Sequence, residues 1–68
     1  MKLSARNAFK GKVVEIVIGP VNSRVKVDIG GGNVVTSVVT AGAVEDLGLA
    51  QGDEVQVIIK SSDVMLGK

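Results

Sequence analysis

The segment Val34-Val35-Thr36-Ser37-Val38-Val39-Thr40-Ala41-Gly42-Ala43-Val44-Glu45-Asp46-Leu47-Gly48 decides the fold. In its first half Val34, Thr36, Val38 and Thr40 line one face and Val35, Ser37 and Val39 the other. Such β-branched residues favour strands, because a pleated surface suits side chains whose χ1 freedom is already limited. The second half carries helix signals. Thr40 is a capping residue, Val44 and Leu47 form an apolar i, i+3 pair, and Gly48 stands where a helix ends in the left-handed conformation. Ala41 to Leu47 is therefore a helix of barely two turns, held by packing rather than by propensity.

Upstream, Ser23 to Ile29 alternates Arg24, Lys26 and Asp28 with Val25, Val27 and Ile29, a period of two with one wet and one buried face. Gly30-Gly31-Gly32-Asn33 joins this strand to the next as a hairpin turn, since glycine and asparagine tolerate positive φ. A glycine run can also cradle phosphate, but that use requires a following helix N-terminus, and a strand follows here. Further upstream, Lys12 to Ile18 reads as a strand with apolar residues on both faces, which predicts cover on both sides; Gly19-Pro20 stops it. Downstream, Leu49 to Asp53 turns into a fourth strand, Glu54 to Lys60. Ser61-Ser62-Asp63 breaks that run, and Val64-Met65-Leu66 reads as a short fifth strand. The expected fold is all-β: an OB-like five-stranded Greek-key barrel with one short helix between strands three and four, in a single domain spanning residues 1–68.

Sixty-eight residues bury only about 60% of their unfolded surface and need outside support. Cysteine and histidine are both absent, which removes disulfides, Cys/His metal sites, and thiol or imidazole catalysis. Oligomerisation remains, and a chain that is 46% hydrophobic agrees with it. No apolar run approaches the roughly 18 residues of a membrane span. Met1-Lys2 is not followed by the apolar core of a signal peptide, so the expected location is the cytoplasm.

Enzyme chemistry is poorly supplied. The seven carboxylates fall mostly in turns or on polar strand faces, and the adjacent pairs Glu45-Asp46 and Asp53-Glu54 are poorly disposed to share acid and base roles. A nucleophilic serine or threonine would lack a histidine base. Nucleic-acid binding by such a barrel normally needs aromatic platforms, and Phe9 is the sole aromatic; a net charge of +1 is too small for a basic stripe. No nucleic-acid partner is expected. Anion binding is better provided for. Ser4, Arg6 and Asn7 at one end of the chain, Lys60, Ser61 and Ser62 at the other, and Thr40 between them supply a guanidinium, an ammonium, hydroxyls and an amide. Such groups neutralise a tetrahedral oxyanion and donate to it directionally. Each also has a plain structural use: Thr40 as a cap, Lys60 as a solvated strand end, Ser61-Ser62 as turn residues.

These stretches resemble a known family. Ser4-Ala5-Arg6-Asn7, Lys10-Gly11 and Val13-Val14 are similar to the opening signature of the molbindin (Mop) family of small molybdate-binding proteins. The likeness continues through Gly19 to Asn22, Val38-Val39-Thr40, Leu47-Gly48-Leu49 and Gly52-Asp53-Glu54-Val55, and closes on Ile59-Lys60-Ser61-Ser62-Asp63-Val64-Met65. The opening and closing motifs are specific together; the central Leu-Gly-Leu segment alone is not. The resemblance implies an OB-like barrel assembled as a homo-hexamer, a trimer of dimers. It implies molybdate or tungstate held at subunit interfaces, for intracellular storage or buffering, with no catalysis and no organic cofactor. By position, the implied oxyanion-binding residues are Ser4, Arg6, Thr40, Lys60 and Ser61, drawn from more than one subunit; a second site type relies on backbone amides. Many relatives carry serine three residues after the threonine, where this chain has Ala43. With no histidine or cysteine, the metal would be held as the intact oxyanion rather than by direct side-chain coordination. Two other readings are a swapped-hairpin DNA-binding regulator, which shares a Leu-Gly-Leu-x-x-Gly-Asp-Glu-Val-like segment, and a carrier of molybdopterin.

Overall fold

The computed structural model describes residues 6–68. Four strands, β1 (Asn7–Ile18), β2 (Asn22–Gly30), β3 (Asn33–Thr40) and β4 (Glu54–Ile59), form one antiparallel sheet in the order β3-β2-β1-β4. That order, with the fourth strand returning beside the first, is the Greek key. One helix, α1 (Ala41–Leu47), lies between β3 and β4, and a 3₁₀ turn at Ser61–Asp63 follows β4.

β1 serves two partners in succession. Its first half pairs with β4 from Asn7↔Ile59 to Lys12↔Glu54, and its second half with β2 from Lys12↔Asp28 to Ile18↔Ser23. The two ladders overlap at Lys12, and at its neighbour Gly11 an added Cβ would run into the Val27 side chain and come within 2.9 Å of the Asp28 carbonyl oxygen. A bulge between Val13 and Glu15 then inserts one residue, which shifts the phase so that both Val13 and Ile16 face inward. This accounts for the apolar residues on both faces of β1. Within one chain, however, Val14, Val17 and Ile18 remain exposed, so the second face is not covered as the composition of the strand suggested.

The core is small and almost entirely valine. Val13, Val25, Val27 and Val44 are buried, with Ile16, Ile29, Val39, Leu49, Val55 and Val57 packed around them. α1 supplies the plug through Val44, while Leu47 is 71% exposed. Its ends are made as the sequence indicates. The Thr40 hydroxyl accepts from the Ala43 amide at 3.0 Å, and Gly48 sits at φ 61° with its amide on the Glu45 carbonyl and that of Leu49 on Val44, both 3.0 Å. In the β2–β3 hairpin Gly31 and Gly32 both have positive φ, as the primed turns require, and the Asp28 carboxylate accepts from the Gly30 amide at 2.8 Å. The turn before β4 is fastened to β1 by Gly52 N–H on the Val13 carbonyl at 2.7 Å and Val13 N–H on the Asp53 carbonyl at 2.9 Å.

The expected fifth strand is not formed. Val64–Leu66 has no ladder partner among the described residues, and Met65 and Leu66 are 92% and 95% exposed. A strand needs an edge to pair with, and this chain does not bring its own edge to those residues. Strand four also ends one residue early, at Ile59, because Lys60 begins the 3₁₀ turn.

Candidate functional site

The β1–β4 ladder gathers one group of candidate residues. The pairs Asn7↔Ile59 and Ala8↔Ile58 set the register, and one further step in that register puts Arg6 beside Lys60. The Asn7 amide donates to the Ile59 carbonyl at 3.2 Å and closes the ladder just inside the two cations. Lys60 precedes the 3₁₀ turn, its carbonyl accepting from Asp63 N–H at 2.9 Å, and the Ser61 carbonyl accepts from Val64 N–H at 3.3 Å. These bonds spend backbone groups only. The Arg6, Lys60 and Ser61 side chains are exposed, and among the described residues none is engaged in an ion pair or a side-chain hydrogen bond. The ion pair that is present, Lys26–Glu15 at 3.5 Å, lies elsewhere. The exposed Asp63 follows Ser61 by two residues and offsets part of the positive charge.

Thr40 is not part of this group. It pairs with Asn22, next to the Ser23↔Ile18 pair at the other end of the 12-residue β1. Fully extended at about 3.3 Å per residue, a strand of that length would exceed the chain's 34 Å long dimension, so the bulged β1 curves along it and still holds its two ends far apart. The Thr40 oxygen is committed as a cap, but its O–H proton remains free to donate. Ser4 lies outside the described residues. Asn7, which the sequence reading counted among the candidate donors but not in the set implied by the resemblance, spends its side-chain amide on the Ile59 carbonyl beside Arg6.

The chain therefore offers an open, cationic, hydroxyl-bearing corner at one end of β1 and a lone hydroxyl at the other. Among the described residues, no group of three or more metal-ligating side chains is assembled. A groove of about 630 Å³ carries Lys10 and Lys12 together with Asp28 and Glu54, a balanced set with no net attraction for an anion. No described helix is long and apolar enough to cross a membrane.

Residues 3–66 match the model of the TOBE domain. The chain belongs to the TOBE domain family and, within it, to the Mop proteins. Over 67 residues this TOBE chain is 55% identical to a probable molybdenum-pterin-binding protein of Haemophilus influenzae, an alignment covering 98% of this chain and 97% of the relative. Its fold is similar to that of MopII from Clostridium pasteurianum, with TM-score 0.92, 43% identity, and cover of 98% and 100% of the two chains. It is likewise similar to a molybdate-binding protein from Sporomusa ovata, with TM-score 0.93, 34% identity and full cover of both chains. The relatives from Haemophilus influenzae and Sporomusa ovata are named for what they bind.

Proposed function

We propose that this chain, acting as one Mop domain over residues 1–68, binds molybdate or tungstate as the intact oxyanion. The sites lie between subunits of a cytoplasmic homo-oligomer, a hexamer built as a trimer of dimers, whose role is storage or buffering without catalysis. Arg6 and Lys60 supply charge, and Ser4, Thr40 and Ser61 supply directed hydroxyl donors. The observation that carries this reading is the uncommitted Arg6–Lys60–Ser61 corner, with Thr40 at the opposite end of β1. Two cations and free hydroxyls suit a dianion, and the distance to Thr40 supports completion by a second subunit. The names of the relatives from Haemophilus influenzae and Sporomusa ovata support the choice of ion.

Calorimetric titration with molybdate tests the reading. The wild type binds, and Arg6→Ala loses roughly ten- to hundredfold in affinity, the range of one charge-assisted hydrogen bond. The oligomer and its thermal midpoint are expected to stay unchanged, because the Arg6 side chain holds no described contact. Unaltered affinity in the variant removes Arg6 from the site, and a wild type that takes up no molybdate overturns the proposal.

A second reading rests on the name of the Haemophilus influenzae relative, which includes the pterin. It requires a stacking surface, and the one aromatic, Phe9, is 41% exposed on β1. Titration with molybdopterin separates the two: binding abolished by Phe9→Ala and indifferent to Arg6→Ala favours the pterin.

A further inference from the structure

We propose that Asn7 is a positioning residue of the anion site: without touching the anion, its side chain holds the strand that carries Arg6 against the strand that carries Lys60. The proposal rests on the reading above, in which the Arg6–Lys60–Ser61 corner binds molybdate.

Three consecutive carbonyls frame the corner, and each accepts a hydrogen bond. That of Ile59 accepts from the Asn7 side-chain amide at 3.2 Å, that of Lys60 from Asp63 N–H at 2.9 Å, and that of Ser61 from Val64 N–H at 3.3 Å. The last two belong to the 3₁₀ turn, so they fix Lys60 and Ser61 only relative to the residues that follow. The first spans 52 positions of the chain. It joins the residue after Arg6 to the residue before Lys60. Among the described residues it is the one side-chain hydrogen bond between β1 and β4.

The bond sits where the ladder is weakest. Asn7↔Ile59 is the final β1–β4 pair, and strand ends open locally at little cost in free energy. Charge adds to that tendency. Arg6 and Lys60 stand just outside the final pair, one on each strand, and like charges brought together across a ladder push it apart. A dianion that uses both cations must have them gathered in one place. Whatever gathers them before the anion arrives removes an ordering cost from binding and raises affinity. The Asn7 bond is part-buried, so water competes for the Ile59 carbonyl less than at an open strand end, and the bond is correspondingly stronger. The amide is also uncharged, so it ties the two strands together without adding to the repulsion or neutralising the charge that attracts the anion. A carboxylate in its place would do the second, and an ammonium the first.

The test is a double-mutant cycle in molybdate affinity on the full-length protein, read by calorimetry. Asn7→Ala is expected to lose roughly threefold to tenfold, the range of one net hydrogen bond. With Arg6 already removed there is no second cation to gather, so Arg6→Ala/Asn7→Ala is expected to bind within about twofold of Arg6→Ala alone. A loss of folded protein alone would weaken both backgrounds equally and would not produce this coupling. The wild type offers a second measurement that needs no variant. Followed by NMR, the Asn7 side-chain amide protons are expected to exchange with water more slowly than those of Asn22, whose side chain has no hydrogen bond among the described residues. Unchanged affinity in Asn7→Ala, losses that multiply in the double variant, or an Asn7 amide that exchanges as freely as that of Asn22 each overturns the role of Asn7 and leaves molybdate binding standing. A wild type that takes up no molybdate overturns the proposed function and the role of Asn7 together.

Discussion

The two ends of β1 are made by different means. At the Asn7 end the ladder is closed by an amide, and among the described residues the Arg6, Lys60 and Ser61 side chains hold no hydrogen bond or ion pair. At the Ile18 end Thr40 has two duties, since the oxygen proposed to face the anion already caps α1. Charge is thus held where nothing depends on it, while a directed donor is borrowed from a group that the fold has fixed in place. Substitutions at the first end are expected to change binding alone, and at the second to change binding and stability together.

Gly11 stands next to Lys12, the residue shared by the two ladders, and the largest stability effect is expected there. In Gly11→Ala the new methyl meets the Val27 side chain, which sits in the core, and the Asp28 carbonyl oxygen, which is bonded into the β1–β2 ladder. Neither can retreat cheaply. Overpacking of this kind costs about 1–3 kcal/mol. In a domain of this size each kcal/mol lowers the thermal midpoint by roughly 4–8 °C, read at one fixed protein concentration because assembly adds to the apparent stability. A midpoint unchanged within 2 °C would mean that β1 bends elsewhere and that its two ends are not held in a fixed relation by this contact.

Thr40 sharpens the contrast. Thr40→Ala removes the acceptor for Ala43 N–H and is expected to cost about 1 kcal/mol of stability. Under the proposed function it also weakens molybdate binding. Thr40→Ser keeps the hydroxyl and is expected to restore both within a factor of about two in affinity. Denaturant titration and calorimetry on the same samples separate the effects. Weakened binding with the midpoint intact would show that the cap is dispensable and that the two ends are built alike.

The helix was legible to the residue, because Thr40, Val44 and Gly48 each act within one or two turns and so leave a local signature. The hairpin at Gly31-Gly32 was legible for the same reason. The start of β1 was not. Ala8, Lys10 and Gly11 break the apolar pattern, and Asn7 to Gly11 becomes strand because β4, some fifty residues later, supplies the ladder. A bulge, which turns one strand face into the other, was read as two buried faces. Val64–Leu66 has strand composition and no strand, since pairing is a property of two segments and the second is missing from its surroundings. In the site, the individual groups could be chosen from their chemistry. That the β1–β4 ladder ends just inside Arg6 and Lys60, while Thr40 pairs at the other end of β1, depended on register, which no local spacing carries.

The smallest expected effect concerns a group at the Thr40 end. Ser23 pairs with Ile18 on one side and Val39 on the other, is 1% exposed, and its hydroxyl has no hydrogen-bond partner among the described residues. A buried hydroxyl without a partner has lost its water and gained nothing in exchange. Ser23→Ala removes that group and leaves no gap larger than one oxygen atom, so the change is expected to be neutral or to stabilise by up to about 1 kcal/mol in denaturant titration. Destabilisation by that amount instead would mean that the hydroxyl is bonded in the assembled protein. In that case the Thr40 end, like the Arg6 end, is completed by a second subunit, and the contrast between a self-contained end and an open one does not hold.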